Sequence, residues 1–302
     1  MTPSAIPLSI CIVTYQAREF LEQCLHSIYA NPPERDFEII VVDNGSTDGT
    51  QDMLAARFLQ VLLIVNPSNA GFAAPMNQAL HLARGECLLL LNPDTLIHPQ
   101  AFDCLLAFLE AHAEAGICGP KVLNTDGTLQ KPCRRGEPTP WAVVSYFTGL
   151  SALFPHSRFF GGYLMSYMGE DETHPVAGVS GSCMLIRRAV VEQIGYLDER
   201  FFAYQEDADY CFRARQGGWK VYYVPTAQIT HYGGKGGSTV QPYRSIIEWH
   251  RSYYLYYRKN LAANYIFLFN GLYYGLMFLK LILALLLNLF KREKHAGRQR
   301  PR

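Results

Sequence analysis
Apolar runs without internal alternation recur along the first third of the chain, and each one stops at a polar cluster. Leu8-Ser9-Ile10-Cys11-Ile12-Val13 stops at Thr14-Tyr15-Gln16, and Phe37-Glu38-Ile39-Ile40-Val41-Val42 stops at Asp43-Asn44-Gly45-Ser46-Thr47-Asp48-Gly49. Residues 61–65 run into Asn66-Pro67-Ser68-Asn69-Ala70-Gly71-Phe72, and Cys87-Leu88-Leu89-Leu90-Leu91 ends at Asn92-Pro93-Asp94-Thr95. Runs of this kind predict strands buried on both faces. Between them lie segments of helical period. Residues 19–30 place Phe20, Leu21, Cys24, Leu25 and Ile28 on one face, a second helix starts near Thr50, and a third carries Asn77 and Leu80. This alternation predicts an α/β fold with a mainly parallel, doubly wound sheet. A helix near residues 100–112, a strand near 116–122 and a tight turn at Asp126-Gly127 continue it.

The rhythm breaks over residues 132–175, where Pro and Gly mix with Trp141, Tyr146, Phe147, Phe159, Phe160, Tyr163 and Tyr167. A stretch this long is either a functional lid or a packed aromatic cluster. Regular structure resumes over 179–187, with a helix from about Arg188 and strands at 221–224 and near Ile229. The chain divides into a catalytic region, residues 1–240 with halves meeting near 125, and a C-terminal helical region, residues 241–302.

The 302 residues, 49% hydrophobic, suffice for a large core, and the formal charge of +1 supplies no global field for nucleic acid. Eight scattered cysteines without a C-x-x-C pair read as reduced thiols in a cytosolic compartment, and the N-terminus shows no export signal.

A parallel sheet sends Thr14, Asp43, Asn69 and Asp94 to the one rim where open α/β sheets hold ligands. Pro93 stops strand pairing, so Asp94 is a carboxylate fixed at that rim, suited to holding a divalent cation against a phosphate. Asp43 could equally be only a turn former ahead of Asn44-Gly45. Further on, Glu206-Asp207-Ala208-Asp209 opens an amphipathic run among Phe201, Phe202, Tyr204 and Tyr210. Acids there can cap a first helical turn, or, with proton affinity raised by apolar surroundings, one can act as a general base. His231 is either a structural hydrogen-bonder or a ligand. The Gly-rich stretch 233–238, with Lys235, could close over a phosphate.

Six ordered motifs, Ile12-Val13-Thr14-Tyr15, Val41 to Asp48, Asn69-Ala70-Gly71-Phe72, Leu91-Asn92-Pro93-Asp94, Gly181-Ser182-Cys183-Met184 and Glu206-Asp207-Ala208-Asp209, together resemble the family 2 glycosyltransferases of the GT-A fold, most closely the rhamnosyltransferase-like branch. The likeness runs over roughly residues 6–260. It implies inverting transfer of a sugar, rhamnose from dTDP-rhamnose as the best guess, from a nucleotide-diphosphate donor to a hydroxyl of a saccharide or lipid-linked acceptor in cell-surface polysaccharide synthesis. By that resemblance Thr14, Tyr15 and Asp43 hold the nucleoside, and Asn69, Gly71 and Asn77 line the donor pocket. Asp94 is the surviving acid of a metal-binding D-x-D, with Asn92 in place of the first acid, and His231 helps hold Mg²⁺ or Mn²⁺ or the diphosphate. Asp207 is the catalytic base and Glu206 its neighbour on the acceptor side. A nucleotidyltransferase would share the sheet but should carry a basic loop after the first strand, where Thr14-Tyr15-Gln16-Ala17 stands. A non-catalytic membrane scaffold would not need both Asp94 and Asp207.

Residues 243–260 predict a helix rich in aromatic and basic side chains, and 261–290 are apolar with only Lys280 charged. That second stretch is long enough to span a bilayer, but one crossing would put the basic tail 291–302 on the wrong side. The expectation is an in-plane or re-entrant helix at the cytoplasmic face of the inner membrane. A helix closing a soluble core or a homodimer interface is the alternative.

Overall fold
The computed structural model describes residues 7–234 and 241–290. The first half is the expected series: β1 (Leu8–Thr14), α1 (Arg18–Ala30), β2 (Phe37–Asp43), α2 (Thr50–Arg57), β3 (Leu62–Val65), α3 (Ala73–Leu82) and β4 (Cys87–Leu91). β1, β2, β3 and β4 pair in parallel. β1 and the inner residues of β4 are fully buried, as their unbroken apolar runs require, whereas β3 is the sheet edge and leaves Leu62 and Val65 half exposed.

Beyond β4 come β5 (Thr95–Ile97), α4 (Ala101–Ala111), β6 (Ala115–Leu123), β7 (Arg134–Arg135), α5 (Pro140–Thr148), α6 (Leu150–Leu153), β8 (His174–Val176), β9 (Gly178–Val179), β10 (Cys183–Arg187), α7 (Arg188–Ile194), α8 (Glu206–Gln216) and β11 (Lys220–His231). Among the described residues nine strands form one sheet, in the order β3-β2-β1-β4-β10-β6-β11-β5, with β8 also on β11. β10 runs antiparallel between β4 and β6, so the parallel half is joined to the rest through a reversed strand. The two strands expected at 221–224 and near 229 are one strand, β11, with a register shift between Val224 and Gln228. That irregularity breaks the apolar pattern without ending the pairing. The turn at Asp126-Gly127 forms as expected, with Gly127 at φ +81° and Asn124 N–H donating to the Thr128 carbonyl.

The irregular stretch 132–175 holds β7, α5 and α6. Trp141, Phe159 and Phe160 pack against one another through tilted and edge-on ring contacts, as the aromatic-cluster reading expects, while Trp141 and Phe159 stay substantially exposed.

The C-terminal α9 (Pro242–Asn260) and α10 (Phe267–Leu289) do not stand apart. Phe201, Tyr256, Tyr257, Leu261 and Tyr273 form a second buried cluster that fastens both helices to the segment ahead of α8. The expected boundary at 240–241 borders residues 235–240, which with the tail 291–302 lie outside the described residues.

Candidate active site
The parallel strands deliver their polar ends to one rim. Thr14 and Asp43 are register partners at the ends of β1 and β2, and Asp43 pairs with Val65, the last residue of β3. Thr14 is buried, and its Oγ1 has no hydrogen-bond partner among the described residues. A buried hydroxyl without a partner is costly unless something satisfies it, so this atom is available to a ligand. Half-buried Tyr15 follows it. Asp43 accepts from Ser46 N–H at 3.2 Å and from Gln51 Nε2 at 2.7 Å, which fixes its carboxylate at the strand end.

Asn44 organises the facing loop. Its side-chain nitrogen donates to Asn69 Oδ1 (3.0 Å) and to the Gly71 carbonyl (2.7 Å), and its Oδ1 accepts from Ala70 N–H (3.1 Å). Asn69 in turn accepts from Gly71 N–H. Gly71 sits at φ +93°, and a Cβ there would lie 2.1 Å from the carbonyl oxygen of Phe202. The neighbouring Phe72 N–H donates to that oxygen at 2.6 Å. Gly71 therefore lets the loop after β3 touch the segment that leads into the acids. Asn77 does related work: its amide bonds Leu197 at both N–H and carbonyl and also bonds Glu199, so its polar atoms hold residues 197–199 in place.

β5 and β11 pair antiparallel with Thr95 opposite His231, and Tyr232 N–H donates to the Asp94 carbonyl. That ladder carries His231 Nε2 to 3.1 Å from Asp94 Oδ1 and 3.3 Å from Asn92 Nδ2. Gln130 orients the ring. Its Nε2 donates to Asn124 Oδ1 and the His231 carbonyl, leaving its Oε1 to accept from His231 Nδ1 at 2.7 Å. With Nδ1 as donor, the Nε2 lone pair is left to face the Asp94 carboxylate and the Asn92 amide, so an imidazole, a carboxylate and an amide converge on one point. The donor set, one carboxylate, one imidazole and the Asn92 amide, fits a divalent cation that takes its other ligands from phosphate and water. Among the described residues no cluster of three or more His, Cys, Asp or Glu converges as a complete metal cage.

The acids lie at the other wall. Glu206, Asp207 and Asp209 fill the first turn of α8 and are buried. Tyr204 and Gln205, just before them, both adopt left-handed backbone (φ +70° and +64°), at a cost of about 1 kcal/mol or more each. Contacts from α9 offset that strain. Ser252 Oγ donates to the Ala203 carbonyl, Arg244 stacks over the Phe202 ring, and Lys259 and Asn260 bond the fully buried Asp209. Asp207 Oδ2 accepts from Arg135 (2.6 Å) and from Gly181 N–H (2.8 Å), and its Oδ1 accepts from Ala208 N–H. The raised proton affinity expected among these acids is found at Glu206. Desolvation and the adjacent Asp207 charge push Glu206 up to about 8, and its Oε2 is buried without a partner among the described residues.

One turn joins the walls. Gly181 N–H holds Asp207 while the Ser182 carbonyl accepts from Asn92 N–H at 3.0 Å. The Asn92–Asp94 corner and the Asp207 carboxylate are thus tied to consecutive residues. Asn44, Gln130 and Arg135 went unread as site residues. Asn44 stands inside a quoted motif but passes for a turn former, and only Arg135, in an arginine pair beside a Pro/Gly-rich stretch, offered a signal.

A mainly parallel sheet flanked by helices, with polar strand ends gathered at one rim, has the GT-A fold. The chain belongs to glycosyl transferase family 2, whose pattern it matches over residues 9–195, and it is a glycosyltransferase with a nucleotide-sugar donor. It is 30% identical over 267 residues to an N-acetylglucosaminyl-diphospho-decaprenol L-rhamnosyltransferase of Mycobacterium tuberculosis, covering 82% of this chain and 83% of that one. It is 29% identical over 213 residues to the low-salt glycan biosynthesis hexosyltransferase Agl10 of Haloferax volcanii, covering 69% of this chain and 62% of that one. Among solved structures the fold resembles the mannosyltransferase PcManGT from Pyrobaculum calidifontis in complex with GDP-Man and Mn²⁺, with TM-score 0.59, 17% identity, and coverage of 85% of this chain and 66% of that one. S. aureus TarS 1–349 in complex with UDP-GlcNAc gives TM-score 0.55 and 20% identity, over 83% of this chain and 65% of that one.

The 23-residue α10 is long and apolar enough to cross a membrane, and most of its side chains face outward, Phe267 and Leu279 among them.

Proposed function
We propose that this chain is an inverting rhamnosyltransferase, moving rhamnose from dTDP-rhamnose to a hydroxyl of a lipid-linked saccharide in cell-surface polysaccharide synthesis. The observation that supports the reading is the turn at Gly181-Ser182: Gly181 N–H donates to Asp207, and the Ser182 carbonyl accepts from the N–H of Asn92, two residues before Asp94. The relative at 30% identity, named for rhamnosyl transfer to a decaprenyl-linked sugar, supports the donor and the acceptor class.

Thr14, Tyr15 and Asp43 bind the nucleoside, with Asn69 and Gly71 shaping the donor loop and Asn77 bracing it. Asp94, His231 and Asn92 would hold Mg²⁺ or Mn²⁺. Bound there, the cation supplies charge neutralisation of the diphosphate, a contribution of several kcal/mol to the transition state. Asp207 Oδ1 takes the acceptor proton. The acceptor oxygen then bonds to the anomeric carbon from the face opposite the diphosphate, the bond to the phosphate oxygen breaks, and the configuration inverts. General-base assistance of this kind is worth about 10²–10⁴-fold in rate. Glu206 sits beside the base on the acceptor side. The outward apolar face of α10 rests on the cytoplasmic face of the inner membrane, where a lipid-linked acceptor is presented.

The test is a panel of dTDP-rhamnose, UDP-GlcNAc and GDP-mannose with Mg²⁺ or Mn²⁺, read by thermal shift and by metal-dependent donor turnover. The largest shift and turnover should come with dTDP-rhamnose. A preference for either other donor would overturn the sugar assignment, and no response to any donor would overturn the catalytic reading.

A further inference from the structure
Two buried carboxylates stand side by side at the start of α8, yet their surroundings differ sharply. Asp207 receives three donors, from Arg135, Gly181 and Ala208. Glu206 Oε2 receives none among the described residues. Arg135 comes from outside the core motifs. It belongs to the short antiparallel pair of β7 with β9, and its Nη2 also donates to the Val179 carbonyl at 2.9 Å. Its side chain is only 11% exposed, as is that of Asp207. A guanidinium so held is a fixed charge rather than a mobile surface partner.

We propose that Arg135 is a positioning residue for the reaction: it anchors Asp207 by Oδ2, turns Oδ1 toward the acceptor, and keeps Asp207 rather than Glu206 the charged member of the pair. The proposal rests on Asp207 being the base. Two carboxylates packed together cannot both ionise cheaply, and pairs whose environments differ divide the acid and base forms between them. Arg135 and the Gly181 N–H place two donors on Asp207 Oδ2, whereas Glu206 Oε2 has none among the described residues. The other groups facing the pair do not undo this. Asp209, which also acts on Glu206, is paired with Lys259 and Arg213; Tyr163 and Cys211 face Arg135, and burial pushes the Cys211 thiol up. The raised proton affinity of Glu206 agrees with this division.

The test compares wild type, Arg135→Gln and Arg135→Lys by ¹³C NMR titration of the side-chain carboxyls, with Asp207→Asn and Glu206→Gln supplying the assignments. Arg135→Gln should raise the Asp207 midpoint, and Arg135→Lys should restore it. With dTDP-rhamnose and Mg²⁺, Arg135→Gln should lower kcat about 10²-fold, leave KM for the donor unchanged and move the acidic limb of the pH profile upward. In an Asp207→Asn background the same change should add no further loss. Unchanged carboxyl midpoints would overturn the proposal. So would a donor KM weakened tenfold or more, or an additional loss in the double variant. If the wild type turns over no nucleotide sugar, the functional reading fails while the carboxyl titration still decides the role of Arg135. If Arg135→Gln does not fold, the Arg135→Lys titration decides it: midpoints matching wild type support a charge role, and midpoints that converge overturn it.

Discussion

Replacing Gly71 by Ala adds one methyl group at the contact between the donor loop and the acid segment. The new Cβ would lie 2.1 Å from the Phe202 carbonyl oxygen and 2.8 Å from Phe202 Cδ2. Carbon and oxygen meet without overlap at about 3.3 Å, so the carbonyl must retreat by roughly 1.2 Å. That retreat breaks the 2.6 Å bond from Phe72 N–H, a loss of about 1 kcal/mol. The left-handed backbone at this position adds about 1–2 kcal/mol for an L side chain. The total is about 2–3 kcal/mol, which should lower Tm by roughly 4–12 °C. The displaced residues, 202–205, lead directly into Glu206 and Asp207, so transfer should fall far more than stability, by about 10²-fold for a 1 Å misplacement. Differential scanning calorimetry and donor turnover at matched temperature measure the two effects. A variant that melts within 1 °C of wild type and turns over normally would refute the claim that Gly71 sets the approach of the two walls.

Other consequences follow from the same contacts. Glu206 binds its proton more tightly folded than unfolded, since its value rises from 4.5 to about 8. Its stabilising contribution is therefore complete below about pH 4.5 and is lost as pH climbs through about 8. Glu206→Gln should flatten the Tm profile across that window and melt above wild type at pH 9, and a parallel profile would contradict this. Lys259→Met removes one of two cations from the fully buried Asp209 and should cost about 1–3 kcal/mol by urea denaturation, whereas a change within error would show the contact to be idle. Leu279→Glu with Leu283→Glu, both on the outward face of α10, should abolish co-flotation with anionic vesicles without lowering Tm, and unchanged flotation would remove the helix from the membrane contact.

The parallel half of the sheet was legible because each buried strand shows as an unbroken apolar run and each run stops at a polar cluster. β10 was not legible as a reversed central strand, because a run such as Cys183–Arg187 records burial but neither direction nor neighbour. β11 read as two strands because its bulge interrupts the pattern while the pairing continues. The polar residues that end strands could be placed on one rim from the sequence. Contacts that depend on a distant partner could not. Arg135 meets Asp207 across 72 positions, and Gln130 orients His231 across 101. The raised proton affinity expected in this acidic turn is found at Glu206. The Arg134-Arg135 pair stands out in the sequence, but nothing local says that its guanidinium reaches Asp207.

The account depends most on two carboxylates having separate duties in one site, and one comparison measures that directly. Isothermal titration of dTDP with Mn²⁺ into Asp94→Ala and Asp207→Asn, alongside transfer from dTDP-rhamnose, should separate them. Asp94→Ala should lose metal-dependent nucleotide binding, and Asp207→Asn should bind as wild type does while losing nearly all transfer. Undiminished Mn²⁺-dependent binding by Asp94→Ala, or substantial transfer by Asp207→Asn, would contradict it.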